Sequence, residues 1–119
     1  MRSERLYLND IVEAADAIGR FVRETSAEEF PGSKLVRSAV VMKLMIIGEA
    51  AACVSADLRD RHPEVGWSAA TELRDVLVER YYAIDWDAVW NAATQSVPLL
   101  REQVAQILGD EFPDKETDN

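Results

Sequence analysis

The sequence predicts an all-α fold, a single antiparallel bundle of four to five helices. Apolar residues recur at the i, i+3, i+4 spacing of a helix through four long segments. The prolines and glycines fall mostly between those segments, and no stretch shows the alternation typical of a strand. The 119 residues are 48% hydrophobic, which is enough for one core, and they predict one domain over residues 1–109.

The first helix is expected to run from Ser3, a good N-cap residue, to about Thr25. Its apolar stripe consists of Leu8, Ile11, Val12, Ala15, Ile18 and Val22. Ser26 and Glu29 then form a capping-box pattern. That pattern predicts only one short turn, because a Pro-Gly pair follows almost at once.

A second helix should begin at Ser33 and fade over residues 57–61, before His62 and Pro63 break it. Its core stripe consists of Val36, Val40, Leu44, Ile47, Ala51 and Val54. Gly48 lies inside this helix, where glycine costs about 1 kcal/mol relative to alanine. That cost predicts the close approach of another backbone at Gly48.

Apolar residues surround most of the second helix, including Val41, Met42 and Met45 outside its core stripe. One small bundle does not have enough interior to bury all of them. The excess predicts a homodimer in which both subunits use the same surface.

The third helix, expected over residues 67–82, is the stretch where charged and aromatic residues coincide. Its buried face should consist of Leu73, Val76, Leu77 and Tyr81. Arg74 and Tyr81 are seven residues apart, so they should stack on one side of the helix. Glu79 projects away from Arg74 and has the like-charged Asp75 four residues before it. The charged side chains of this helix are therefore poorly neutralised by other residues of the same helix.

Asp85 is a suitable N-cap for a fourth helix over about 86–108. Its stripe consists of Val89, Ala93, Val97, Leu100, Val104 and Ile107. Pro98 should kink this helix, because it lacks the N–H that would bond back toward Thr94. Residues 110–119 hold five acids and one lysine and predict an acidic, disordered tail.

The formal net charge of −9 argues against a broad, non-specific affinity for nucleic acid, which depends on an excess of Lys and Arg. Cys53 is the single cysteine, so no intramolecular disulfide is expected, and no Cys/His cluster indicates a metal site. No cofactor is expected, since a glycine-rich phosphate loop is absent. The charged first residues and the lack of a membrane-length apolar run predict a cytoplasmic protein.

Several candidate residues have a structural interpretation beside a functional one. His62 fits a surface or loop-packing residue, and Cys53 fits a small buried side chain better than a nucleophile. The tryptophans fit core or interface anchors better than stacking groups. Glu49 is either a solvated residue or a buried acid directed at Arg74. For Arg74 itself, spacing alone favours a structural ion pair.

Residues 73–81, Leu-Arg-Asp-Val-Leu-Val-Glu-Arg-Tyr, resemble the R-x-x-x-x-H-x-Y signature of the HepT-like ribonuclease toxins of the HEPN superfamily. Residues 46–50 are similar to the family's I-G-E-A landmark, and residues 61–67 to its connecting segment. Asp85 and residues 89–90 are similar to the start of its last helix. The resemblance covers nearly the whole chain, with the landmarks in the family's order.

The resemblance implies a HEPN-type bundle that dimerises and brings the motif helices of two subunits together at one cleft. It also implies metal-independent RNA cleavage, with Arg74 holding the scissile phosphate and with Asp75 and Glu49 supporting the site. The implied partner is an MNT-type nucleotidyltransferase antitoxin that modifies Tyr81 with AMP. The chain would then be the toxin of a type VII-like toxin–antitoxin pair.

The motif histidine falls on Glu79, and here the sequence departs from the family's pattern. Histidine serves in cleavage because its pKa of about 6.5 lets it give and take protons near neutrality. Glutamate side chains, with an ordinary pKa of about 4.3, are anions at pH 7 and poor proton donors. Glu79 would also repel the phosphate that Arg74 attracts, so strongly reduced cleavage is expected.

Two functional hypotheses follow, and they belong to different classes. The first is a HepT-like endoribonuclease impaired by Glu79, which is either a natural variant or an introduced substitution. The second is a non-catalytic HEPN dimer that binds an MNT-type nucleotidyltransferase and is AMPylated at Tyr81. A dimeric scaffold whose motif is a relic is a plainer third hypothesis.

Overall fold

A computed structural model describes residues 3–113 of the chain. Its α-helices are α1 (Glu4–Arg23), α2 (Lys34–Cys53), α3 (Ala56–Arg61), α4 (Trp67–Glu79), α5 (Trp86–Asn91) and α6 (Val97–Glu111). Single 3₁₀ turns cover Phe30–Gly32 and Tyr81–Ala83, and a π-helical segment, Ala92–Ser96, joins α5 to α6. No strand occurs within residues 3–113, so the all-α prediction is confirmed.

The central helix is α2, which packs against both α1 and α4, while α1 also packs against α6. Fully buried side chains from these helices meet in one core that includes Leu8, Ile11, Ile18, Val40, Ile47 and Val104. Burying each such side chain contributes about 1.5–3 kcal/mol to folding. In the described part of the chain, no helix is both long and apolar enough to cross a membrane.

The expected capping residues are in place. Ser3 accepts a hydrogen bond from a first-turn N–H of α1 at 3.4 Å, and Asp85 does the same for α5 at 3.1 Å. Ser26 and Glu29 form the reciprocal capping box, in which each side chain accepts from the other's N–H at 3.1 Å. These bonds satisfy N–H groups that helix geometry leaves without partners.

Phe30, in the turn after α1, is fully buried against two tryptophans of α5. Its ring centroid lies 6.1 Å from that of Trp86 and 5.1 Å from that of Trp90. Trp67 is also buried, and its indole N–H donates to the His62 carbonyl at 3.0 Å. The prediction that the tryptophans anchor the core is confirmed.

The second helix ends earlier than expected. It stops at Cys53, and Ser55 begins the separate helix α3 by accepting from the Leu58 N–H at 3.1 Å. The Ser55 N–H donates to the Glu4 carboxylate at 3.1 Å, which ties α3 to the start of α1. Cys53 is exposed at this break while the next residue, Val54, enters the core. The expectation of a buried cysteine is therefore wrong.

The helix that carries the signature also ends early. Its last backbone bond joins the Arg80 N–H to the Val76 carbonyl at 2.9 Å. The chain then makes a 3₁₀ turn and extends to reach Asp85, the cap of α5. Tyr81 is 75% exposed and Val76 51% exposed. The expectation that both residues lie on a buried face is therefore wrong. Val76 is inside α4 but on a side that the bundle leaves exposed, whereas Tyr81 neither lies on that face nor stacks above Arg74 because α4 ends at Glu79.

The disturbance expected at Pro98 takes the form of a widened helical turn. The π-helical segment precedes Pro98, and the helix continues on its far side as α6. A π-segment relieves the bonding problem that a proline creates in a helix interior. Because α6 extends to Glu111, Asp110 and Glu111, the first two residues of the expected tail, are helical. Residues 114–119 of that tail lie outside the described residues.

Candidate active site

A cleft of about 560 Å³ lies between α1, α2 and α4. Its polar side chains are Tyr7 and Asp10 from α1, Glu49 from α2, and Arg74, Asp75 and Glu79 from α4. Apolar side chains complete its walls. The cleft brings together four of the candidate residues identified from the sequence, and Tyr81 is not among those that line it.

Arg74 is positioned by Gly48, the residue at which α2 meets α4. A Cβ atom on Gly48 would lie 2.4 Å from the Cβ of Arg74 and 2.8 Å from the carbonyl oxygen of Ala70. Real side chains do not come that close, so only glycine permits the observed separation of the two backbones. The close approach predicted at Gly48 is confirmed, and it presses the stem of Arg74 against α2.

Two carboxylates hold the Arg74 guanidinium. Its Nη1 donates to Glu49 Oε1 at 2.9 Å, and its Nε and Nη2 donate to Asp75 Oδ1 at 3.1 and 2.8 Å. The hydrogen bond to Asp75, reinforced by the charges of Asp75 and Glu49, raises the pKa of Arg74 above its usual range. The Arg74 side chain is 21% exposed, so this firmly held cation still reaches the cleft surface.

The sequence left two interpretations of Glu49, a solvated residue or an acid directed at Arg74, and the structure combines them. Its side chain is 70% exposed, yet it pairs with Arg74. An ion pair this exposed contributes only about 0–1 kcal/mol to stability, so its main effect is to orient the guanidinium. The structural ion pair that spacing favoured for Arg74 is present, at a place where the guanidinium can also meet a ligand.

Glu79 is the last residue of α4 and lines the same cleft. Asp75 precedes it by one turn, and Asp10 of α1 and Glu49 of α2 also line the cleft. A phosphate entering here would be attracted by Arg74 and repelled by the four carboxylates. Within residues 3–113 no group of carboxylates, histidines and cysteines is arranged to hold a metal ion.

Tyr81 projects from the 3₁₀ turn that follows α4. Its ring meets that of Tyr82 edge to face, with centroids 5.8 Å apart and planes at 88°. Both side chains are largely exposed. The fold thus places Tyr81 outside the residues that line the cleft and leaves its side chain exposed.

Tyr7 and Asp10 are cleft residues that sequence reasoning missed. They are three residues apart on α1, beside the buried Leu8 and Ile11 of its core stripe. A three-residue spacing places side chains on one helix face, and this spacing is the sequence feature that could have identified Tyr7 and Asp10. That signal is weak because polar residues border the core stripe of every amphipathic helix. Only the packing of α1 against α2 brings this face to the cleft.

His62 has a structural role away from the cleft. Its Nε2 lies 2.6 Å from Glu111 Oε2, and its Nδ1 lies 3.7 Å from a Glu64 carboxylate oxygen. Arg61 Nη2 donates to Glu111 Oε1 at 2.5 Å. The hydrogen bonds from His62 and then Arg61 lower the pKa of Glu111. These contacts tie the end of α3 to the end of α6 and agree with the loop-packing interpretation of His62.

Residues 11–107 match the protein family described as Ribonuclease HepT-like. The probable ribonuclease HepT of Thermococcus cleftensis is 36% identical over 100 residues, covering 84% of this chain and 91% of that protein. A candidate RNase of Methanocaldococcus jannaschii is 33% identical over 103 residues, covering 87% of this chain and 94% of that protein. A candidate RNase of Caldanaerobacter subterraneus subsp. tengcongensis is 30% identical over 108 residues, covering 91% of this chain and 96% of that protein. No solved structure matches the chain at a significant level.

Proposed function

The chain belongs to the HepT-like ribonuclease family, and from that membership we propose that it is the endoribonuclease toxin of a HEPN/MNT toxin–antitoxin pair. The observation that carries the proposal is Arg74, which Gly48 and two carboxylates hold in an open cleft at the position of the motif arginine. The proposed substrate is RNA, and the proposed place of action is the cytoplasm.

In the proposed reaction two subunits pair so that their α4 helices border one cleft. Arg74 binds the scissile phosphate and offsets the charge that develops on it during attack by the 2′-hydroxyl. Glu49 and Asp75 support this role by holding the guanidinium in place. Their contacts use three of its five N–H donors, which leaves two for a phosphate. The reaction so described requires no metal ion or cofactor.

Glu79 stands where the family's motif has histidine, and we expect it to slow this reaction. A carboxylate can take the proton of the 2′-hydroxyl, but at pH 7 it ordinarily has none to give. It also adds negative charge beside Asp75, which lies one turn before it on α4. Paired subunits would double that charge at the shared cleft, so phosphate binding is weakened as well.

RNA cleavage in the presence of EDTA tests the proposal on the native chain, Arg74→Ala and Glu79→His. We expect slow cleavage by the native chain and only background cleavage by Arg74→Ala. Glu79→His should cleave about 100-fold faster than the native chain or more, which is the usual effect of a well-placed acid–base group.

Two results would count against these assignments. Equal cleavage by the native chain and Arg74→Ala would contradict the enzyme proposal. If Glu79→His neither cleaves faster nor slows growth when expressed, the inhibitory role assigned to Glu79 is wrong.

A second candidate function is a non-catalytic HEPN dimer that binds an MNT-type nucleotidyltransferase and is AMPylated by it. The exposure of Tyr81 favours this candidate, since a modifying enzyme must reach the phenol. After co-expression with an MNT-type nucleotidyltransferase, mass spectrometry should find AMP-sized additions on the native chain and on Tyr82→Phe. Tyr81→Phe should carry none. A native chain without additions would argue against this candidate.

A further inference from the structure

A further inference concerns Tyr7 and rests on the proposed RNA cleavage. It addresses the step in which the departing 5′-oxygen receives a proton, because Glu79 does not supply that proton. Cleavage by the 2′-hydroxyl needs one group to take the proton of that hydroxyl and another to give a proton to the departing 5′-oxygen. Glu79 can take the first proton as a carboxylate. The second proton must come from another group, because a glutamate ordinarily holds none at pH 7.

Few of the described side chains that line the cleft can donate a proton at neutral pH. Asp10, Glu49 and Asp75 carry carboxyl groups, a class of side chain that is a poor proton donor in neutral solution. Arg74 keeps its proton more tightly than a usual guanidinium, because Asp75 and Glu49 raise its pKa. Tyr7 carries a phenol, a group that ordinarily ionises near pH 10 and therefore holds a transferable proton at neutrality.

The position of Tyr7 suits a group that acts on the leaving oxygen. Tyr7 stands on the α1 wall of the cleft, while Arg74 and Glu79 stand on the α4 wall. The floor between these walls is α2, which packs against both helices. The Tyr7 ring is partly buried against the core, which fixes its place at the cleft. A phosphate bound to Arg74 would therefore lie in a cleft that Tyr7 lines from a different helix than Glu79 does. In-line displacement places the attacking and leaving oxygens on opposite sides of the phosphorus, so the two proton-transfer groups are best supplied from different elements.

We propose that Tyr7 is the general acid of RNA cleavage. Glu79 takes the proton of the 2′-hydroxyl as the 2′-oxygen forms its bond to phosphorus. The bond between phosphorus and the 5′-oxygen breaks, its electron pair stays on that oxygen, and Tyr7 gives the oxygen a proton. The products are a 2′,3′-cyclic phosphate and a 5′-hydroxyl. Glu79 then loses its proton to water and Tyr7 regains one, which restores both groups.

The test compares Tyr7→Phe with the native chain on two RNA substrates, in EDTA. One substrate has the ordinary 5′-oxygen at the scissile bond, and in the other sulfur replaces that oxygen. Thiols ionise near pH 8.5, so the sulfur group leaves as a thiolate and needs no acid. Tyr82→Phe is the matched control, because it removes an exposed phenol that does not line the cleft.

Tyr7→Phe should cleave the oxygen substrate about 100-fold more slowly than the native chain and the sulfur substrate at the native rate. Tyr82→Phe should match the native chain on both substrates. An undiminished rate on the oxygen substrate, or an equal loss on both substrates, would overturn the assignment of Tyr7 and leave the proposed function standing. If the native chain cleaves the oxygen substrate no faster than Arg74→Ala, the proposed function fails and the role of Tyr7 fails with it.

Discussion

At Gly48 a single missing methyl group decides where the guanidinium of Arg74 lies. The α2 and α4 backbones meet there, and the nearest atoms to an added Cβ belong to the stem of Arg74 and to a carbonyl of α4. Neither is the free end of a flexible side chain, so the site has little room to adapt. The same contact therefore serves the stability of the bundle and the placement of the candidate phosphate-binding group.

Gly48→Ala should lower the free energy of unfolding by about 1–3 kcal/mol, the usual cost of forcing extra volume into a packed contact. It should also weaken any Arg74-dependent RNA cleavage, because α4 must move away from α2. Urea denaturation measures the first effect, and the cleavage assay in EDTA measures the second.

Gly19→Ala is the matched control, since Gly19 is also inside a helix and an added Cβ there meets nothing within 4 Å. It should stabilise the chain by up to about 1 kcal/mol, because alanine is the better helix former. If Gly48→Ala behaves like Gly19→Ala, the close contact between α2 and α4 is wrong.

Among the elements, α3 and α6 are joined at their ends by one small cluster of charges. Glu111, at the end of α6, binds both Arg61 and His62 at the end of α3. Arg61 is also paired with Asp57 of its own helix. The pKa of Glu111 is lowered by these contacts, first of all by the hydrogen bond from His62. A lowered carboxyl pKa means that the folded state favours the charged form.

The cluster makes stability depend on acid pH in a definite direction. The pKa of Glu111 is lower in the folded chain than its ordinary value of 4.5. The contribution of Glu111 to the stability of the folded chain is therefore complete above pH 4.5. It is lost as the pH falls through the folded-state pKa. Glu111→Gln should therefore melt at a lower temperature than the native chain at pH 6, and the difference should shrink below about pH 4.

Thermal melting followed by circular dichroism across this pH range checks that expectation. Glu102→Gln is the control, since Glu102 is a more exposed acid on the same helix, 3.7 Å from Arg101. Its melting temperature should differ little from that of the native chain at any pH. A constant difference between Glu111→Gln and the native chain down to pH 3 would show that the charge of Glu111 is not responsible.

The early end of α4 has its own consequence at the scale of elements. A helix two residues longer would have carried Tyr81 round to the side of Arg74, as its spacing predicts. Instead the chain leaves the helix after Glu79 so that Asp85 can cap α5. The candidate phosphate-binding group and the candidate modification site therefore belong to different elements.

For the whole molecule, exposed apolar side chains border the cleft. Met42 of α2 is 57% exposed, and Val78 of α4, which lines the cleft, is 50% exposed. Ile46, one turn after Met42, also lines the cleft. This surface is where we propose that a second subunit lies, since pairing there would cover apolar area and join two clefts.

Val78→Asp should convert the proposed dimer into a monomer, because it would place a charge in an apolar interface. Analytical ultracentrifugation should find the native chain at twice the mass of one 13.3 kDa chain, and Val78→Asp at the mass of one. Leu99→Asp should remain dimeric, since Leu99 is similarly exposed, at 60%, but lies on α6. A native chain that sediments as a monomer at micromolar concentration would contradict the dimer.

The sequence by itself determined the helical class, the caps at Ser3 and Asp85, the aromatic anchors of the core and the signature that begins at Arg74. Each of these depends on the identity and spacing of residues close together in the chain, where helix geometry and capping chemistry are sufficient. The close contact at Gly48 could be predicted for the same reason, but the sequence did not show that α4 is the helix in contact there.

Only the tertiary structure decided which side chains share the cleft. It brought Tyr7 to the cleft that Arg74 and Glu79 also line, paired Glu49 with Arg74, and left Tyr81 outside. The physical reason is that these relations depend on how α1 and α4 pack against α2, and on where α4 stops to meet the next helix. Neither property is contained in the periodicity of any one segment.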